Sequence, residues 1–240
     1  MRVRCGRSRS RAGEGFAVLL LTLAVAPGIF WLWYFRAKDR LRPEPLSLVR
    51  RVFFVGALSA FAAGLLEAGA LDASGFSDAA GMPTAVIAAA LIGVIEESVK
   101  FAAVLVTAYR HTHFDEVIDG IIYAVTASLG FATVENLFYV FGGGVSVGVA
   151  RALLSVPGHA FFGAVMGYYM GVAKFSTRET LWLLSGLGLA ALAHTIYDAL
   201  VFSQSAYALA VIPFVLLLWR RSVILTRRAH AIEDPRTRAS

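Results

Sequence analysis

The stretch LIGVIEESVKFAAVLV, residues 91–106, holds Glu96, Glu97 and Lys100 in a run otherwise apolar enough for the inside of a bilayer. Further along, Glu135 and Asn136 lie near the end of one apolar run, His159 lies within the next, and His194 and Asp198 share another. A charge at the centre of a membrane helix costs about 2.5–3.5 kcal/mol on insertion scales, so such residues are few and face one another across a bundle interior. Their types are those of proton transfer. A carboxylate acts as a general base toward water, and an imidazole shares that work or donates to an oxyanion. A buried set of Glu and His therefore suits hydrolysis of a bond in or beside the bilayer.

Spacing groups these residues further. Glu96 and Lys100 are four apart and share a helix face, as do His194 and Asp198. His159, Gly163, Gly167 and Gly171 recur every four residues. Small residues at that spacing let helix backbones approach closely, so the histidine on that stripe points into a helix interface. Ser98 lies beside the glutamates but faces away from any histidine partner on its own helix, which sets a serine mechanism aside. Singly, each feature has an ordinary explanation: an internal Glu–Lys pair, a helix-to-helix hydrogen bond, an intrahelical His–Asp pair. Their coincidence in four consecutive runs, with Glu96, Glu97, His159 and His194 near mid-depth, points to a site.

The elements that must position them are membrane helices. The 240-residue chain is 58% hydrophobic and only 16% charged, and its mean hydropathy is +0.69. Its apolar residues fall into runs at 16–35, 52–71, 83–108, 117–141, 146–172, 181–202 and 205–225. Each approaches the roughly 20 residues that span hydrocarbon. This predicts an all-α, polytopic bundle of about seven helices, since only helices and closed barrels satisfy the backbone in lipid. The reading is one transmembrane domain over 16–225, a basic N-terminal tail over 1–15 and a basic cytoplasmic tail over 226–240.

Charge sets the topology. Segments 36–51, 109–116 and 173–180 and the C-terminal tail carry Arg or Lys, while 72–82, 142–150 and the turn near Ser203 carry none. The positive-inside rule makes the basic set, with the C-terminus, cytoplasmic. The arginines at 2, 4, 7, 9 and 11 run against the outside N-terminus this implies. Run 16–35 has the basic flank and AVA of a signal peptide, but Pro27 sits just after the cut and the apolar run continues through Trp31, Trp33 and Tyr34, so a retained helix is expected. The net charge of +6 follows these topological arginines, and nucleic acid is not an expected partner. One cysteine, Cys5, cannot form an intramolecular disulfide.

Four segments, EESVK (96–100), FDEVIDGIIYAVTASLGFATVEN (114–136), HAFFGAVMGYY (159–169) and HTIYDAL (194–200), resemble in this order the signature blocks of the PrsW family of bacterial intramembrane proteases. That family is related to the CAAX-processing and bacteriocin-processing membrane proteases. YFRAKDRLRPEPLSLV (34–49) resembles the family's start, and the likeness covers roughly residues 27–220. It implies a glutamate-dependent endopeptidase of the bacterial cytoplasmic membrane, acting on a membrane-anchored protein such as an anti-sigma factor in regulated intramembrane proteolysis. By position, Glu96 and Glu97 match the essential glutamate pair, His159 the histidine after the EN block, and His194 and Asp198 the final block. The wider superfamily implies that Glu96 with His159 activates water and that His194 with Asp198 stabilises the oxyanion. Lys100, Glu135 and Asn136 would support them. Val117 replaces a proline common after FDE. Proline there helps a helix start and does no chemistry. Asp115, Glu116 and Asp119 suit an acidic helix N-terminus.

Three other readings stand beside this one. The same residues Glu96, His159 and His194 suit zinc with an open position for water, although no HExxH motif is present. A metal-free glutamate mechanism, with no cofactor, is preferred at this point. A proton-coupled transporter would use Glu and His as a relay, and would usually show inverted repeats, which are not visible. An inactive helix-binding relative fits poorly with an intact Glu, Glu, His, His set.

Overall fold

The computed structural model describes residues 5–39, 42–74, 82–203 and 205–233. Among the described residues, seven α-helices form the bundle: α1 (Cys5–Arg36), α2 (Leu46–Ser74), α3 (Met82–Val104), α4 (Val117–Ala150), α5 (Val156–Lys174), α6 (Glu179–Phe202) and α7 (Val211–Glu233). Among the described residues there is no strand. A π-helical turn, Leu105–Tyr109, extends α3, another, Arg151–Ser155, joins α4 to α5, and a 3₁₀ turn, Ala206–Ala210, leads into α7. The helices outrun the expected bounds: α1 reaches back to Cys5 and α7 on to Glu233. Most of the expected neutral loop at 72–82, the first four residues and residues 234–240 lie outside the described residues.

Among the described residues, five helical stretches are long and apolar enough to cross a bilayer: Gly13–Arg36, Leu46–Ala73, Val117–Lys174, Glu179–Phe202 and Ala206–Ile232. The chain is a multi-pass membrane protein. α3 lacks an uninterrupted apolar run because Glu96, Glu97 and Lys100 interrupt it. It is clasped between α2 and α6.

α4 is the central helix. Every residue from Val117 to Thr133 is buried, with α1, α2 and α5 packed around it. Its first turn is held by Asp119, whose carboxylate accepts the backbone N–H groups of Asp115 and Glu116 at 2.9 and 2.6 Å. The expected loop at 142–150 is instead helical on both sides of one residue, Gly144, where φ is 75°. The chain reverses there. An added Cβ on Gly120 would overlap the carbonyl oxygen of Gly167, one on Gly171 would overlap that of Val117, and one on Gly163 would crowd that of Ala124. These pairings form an antiparallel register centred on residues 143–144. Lipid offers the backbone no hydrogen bonds, so the helix is kept to the edge of the turn. This places His159 opposite the middle of α4.

Gly167→Ala is expected to cost about 1–3 kcal/mol of stability by overpacking. Gly188, whose added Cβ meets nothing within 4 Å, is the control. Gly188→Ala should leave the thermal midpoint in detergent level or raised, because helical glycine is entropically costly. Equal midpoints for the two variants would contradict the close α4–α5 contact.

The basic end of the bundle is cross-linked. Arg42 lies 2.6 Å from Asp115, Lys174 donates to the Tyr109 carbonyl at 2.5 Å, Tyr109 donates to Glu179 at 2.9 Å, and His230 lies 2.9 Å from the Lys38 carbonyl. Glu44, between Pro43 and Pro45, is buried. It receives the Tyr123 hydroxyl, and its own N–H donates to Asp39 at 3.0 Å. Burial pushes the Glu44 carboxyl above its ordinary range, against the opposing donation from Tyr123. Burial likewise raises Asp39, against the Glu44 N–H.

Candidate active site

α3, α4, α5 and α6 bring the sequence-selected residues to one place. Lys100 donates to Glu96 and to Glu97, each at 2.8 Å, and lies 3.0 Å from His159 Nδ1. Lys100 and Glu97 are fully buried. The ammonium also sits 4.1 Å from the centre of the Phe131 ring, a favourable cation–π placement. The i, i+3 and i, i+4 spacings on α3 let one lysine serve both carboxylates.

The two histidines are fixed differently. His194 Nδ1 lies 2.9 Å from Glu97, and its Nε2 lies 3.5 Å from Asp198 and 3.8 Å from Glu96. Phe162 stacks on its ring at 4.8 Å. His159 turns Nδ1 toward Lys100 and sets Nε2 2.9 Å from Glu135. The imidazoles stand nearly perpendicular, with ring centres 5.1 Å apart. One ligand atom from each of Glu96, Glu97, His159 and His194 can be chosen so that all four lie within 4.8 Å of one another.

A cavity of about 760 Å³ opens onto this cluster. Glu96, Glu135, His159, His194 and Asp198 line it, and apolar side chains of α2, α4 and α6 form most of the wall. Glu97 lies behind Glu96 and does not reach the wall. The cavity extends from the cluster away from the basic end, toward Phe138, Phe202 and Val211.

Asn136, expected to support the site, lies outside the cavity lining. It is adjacent to Glu135 and so turned about 100° around α4. It donates to the carbonyls of Leu23 and Ala24 on α1. Two further charged residues face the cavity. Glu67 of α2 lines the cavity, with one buried carboxylate oxygen that has no hydrogen-bond partner. Arg151 lies 2.9 Å from Glu135 and donates to Asn136 at 2.9 Å. Both were visible as charges within apolar runs, but only the fold turns them toward the centre.

The donor set fits a divalent cation. Carboxylate and imidazole donors on a compact cluster are typical for zinc. Glu135, 2.9 Å from the far nitrogen of His159, places a carboxylate on the side where metal-binding imidazoles usually have one. The Lys100 ammonium, held by Glu96, Glu97 and His159, shows these donors converging on positive charge. Around them, Glu96, Glu97, Glu135 and Asp198 outnumber Lys100 and Arg151 by two formal charges.

No solved structure matches the chain. Among curated proteins, Protease PrsW of Bacillus subtilis (strain 168) is 34% identical over 215 residues, covering 89% of this chain and 96% of that protein. Protease PrsW of Geobacillus kaustophilus is 37% identical over 217 residues, covering 90% and 94%. The counterpart in Halalkalibacterium halodurans is 36% identical over 216 residues, covering 89% and 98%. The sequence model of the PrsW family of intramembrane metalloproteases matches residues 44–220, which include all of the clustered Glu and His residues. With its EE, EN and two histidine blocks converging on one buried cluster, the chain belongs to the PrsW family of membrane proteases.

Proposed function

We propose that the chain is an intramembrane endopeptidase that hydrolyses a peptide bond of a membrane-anchored protein, with a divalent metal held by Glu97, His159 and His194. The observation that carries this reading is the convergence of Glu96, Glu97, His159 and His194 within 4.8 Å at the floor of a cavity. The sequence alone favoured a metal-free glutamate mechanism. The donor set and the family's description favour the metal. Three protein ligands leave a position open toward the cavity. A bound metal would supply Lewis acidity and lower the pKa of its water.

The chain's own residues do the rest. Glu96 faces the cavity and accepts the proton of the attacking water. Asp198, 3.5 Å from His194 Nε2, holds that imidazole in place. Lys100 offsets the paired carboxylates before and after proton transfer. The apolar walls accept the flank of a substrate helix and exclude bulk water. The cross-linked basic end is cytoplasmic, with the C-terminus, and the cut lies in the outer half of the bilayer. An anti-sigma factor is the substrate class suggested by the family resemblance. The metal-free reading retains one specific observation: the Lys100 ammonium already supplies positive charge between the same donors.

The test is a cleavage assay in proteoliposomes with tagged single-pass membrane proteins of the host, anti-sigma factors first. 1,10-Phenanthroline should abolish fragment formation, zinc should restore it, and elemental analysis should find about one metal per chain. Full cleavage by metal-free protein would replace the metal reading with the glutamate one. Proton flux without cleavage of any candidate would favour a transporter.

A further inference from the structure

Pro27 lies inside α1 and has no N–H, so the Leu23 carbonyl lacks its intrahelical donor. Asn136 supplies one: its amide nitrogen lies 3.2 Å from Leu23 O and 3.0 Å from Ala24 O. Beside the proline, Gly28 packs against α4 so closely that an added Cβ would lie 2.7 Å from Thr133 Oγ1. Thr133 and Asn136 are three apart and share the face that receives α1. Both features fix α1 to one height on α4.

The contact continues inward. The Asn136 carbonyl oxygen accepts Arg151 Nε at 2.9 Å. Arg151 Nη2 lies 2.9 Å from Glu135 Oε2, and the same oxygen lies 2.9 Å from His159 Nε2. The guanidinium rests over the Tyr139 ring at 4.0 Å. Arg151 begins the π-helical turn Arg151–Ser155, a local irregularity of the kind often retained at functional sites. Arginine suits this place because its planar fork donates to Asn136 through Nε while holding its charge at ion-pair distance from Glu135.

We infer that Asn136 and Arg151 are positioning residues that make the seating of α1 a condition for the working orientation of His159. Helix α1 precedes the residues matched by the family model, yet its backbone joins the site through Asn136, Arg151 and Glu135. The inference rests on the proteolytic reading of His159 and adds α1 to the working unit. Arg151 also lines the cavity, so direct contact with substrate is the competing assignment.

Asn136→Asp separates the two. Aspartate keeps an acceptor for Arg151 and removes the donor to α1. Arg151→Lys keeps a charge near Glu135 and loses the fork. The expected result for each is a fall in kcat of about 10–100-fold, the usual scale for residues behind a catalytic imidazole, with KM little changed. A second readout is independent of activity. An added Cβ on Gly148 lies 3.2 Å from Leu23 Cβ, close to disulfide spacing. In a Cys5→Ser background, the pair Leu23→Cys and Gly148→Cys should cross-link more slowly once Asn136→Asp is added. Glu96→Gln serves as the control for the proteolytic reading. Wild-type kcat and cross-linking in Asn136→Asp, with Glu96→Gln inactive, would overturn the relay and leave that reading intact. No cleavage of any candidate by wild type would remove the reading and the relay with it, whereas full cleavage by Glu96→Gln would remove only Glu96 from the chemistry.

Discussion

Glu96→Gln lowers the cleavage rate by about 10²–10⁴-fold, the range that a positioned general base contributes, while leaving the thermal midpoint within a few degrees of wild type. The reasoning starts from position. Glu96 lines the cavity, whereas Glu97 lies behind it, fully buried against Lys100 and His194. Glutamine has nearly the same shape and still offers an oxygen to Lys100, 2.8 Å away. It cannot take a proton from water. Glu97→Gln also removes activity, but for a second reason, because Glu97 is a proposed metal ligand and a partner of His194. Its bound metal should fall along with its rate, while Glu96→Gln keeps its metal. Rates should be compared at equal membrane abundance, with elemental analysis on the same samples. A Glu96→Gln variant that cuts at the wild-type rate would remove Glu96 from the chemistry.

Lys100→Met destabilises the protein by about 3–5 kcal/mol, the scale measured when one partner of a buried ion pair is removed. The ammonium is fully buried with contacts to Glu96, Glu97 and His159. Methionine fills much of the same volume, so the loss reports charge and hydrogen bonding more than packing. Two carboxylates then remain in low dielectric without their cation. The double variant Lys100→Met, Glu97→Gln should recover part of the loss, because it removes one of those charges. The measurement is thermal unfolding in detergent for all members of the cycle. Additive losses would show that Lys100 and Glu97 act independently and would contradict the geometry.

The sequence made the site legible because hydrocarbon makes ionisable residues conspicuous. Glu96, Glu97, His159, His194 and Asp198 stood out against apolar neighbours, and the structure brings all of them to the cluster or its edge. The helical class was legible for the same reason. What was hidden depends on helix phase and chain reversal. Glu135 and Asn136 are neighbours, yet one meets His159 and the other meets α1. Arg151 is 15 or 16 residues from those partners and meets them only because the chain turns back at Gly144. The glycines at 142–144 suggested an open loop. In lipid the backbone has no water to bond, and the helix resumes after one left-handed residue. Segment 142–150 carries no charge to mark a helix interior, and its glycines are a poor guide to local structure.

The cross-linked basic end has a mechanical meaning. Arg42 with Asp115, Tyr123 with Glu44, Lys174 with Tyr109 and His230 with Lys38 tie successive connections together like the riveted end of a pair of tongs. The jaws are at the other end, where α2, α4 and α6 part around the cavity. Thermal opening concentrates where a fold has few cross-links and much cavity. Spreading the jaws moves the walls apart by rotation about the rivets, and helix segments near the rivets travel least. Glu96 and the two histidines lie between rivets and jaw tips. On the proposed reading, a guest helix would be admitted by a wide movement at the rim while the reactive groups shift through only a fraction of it.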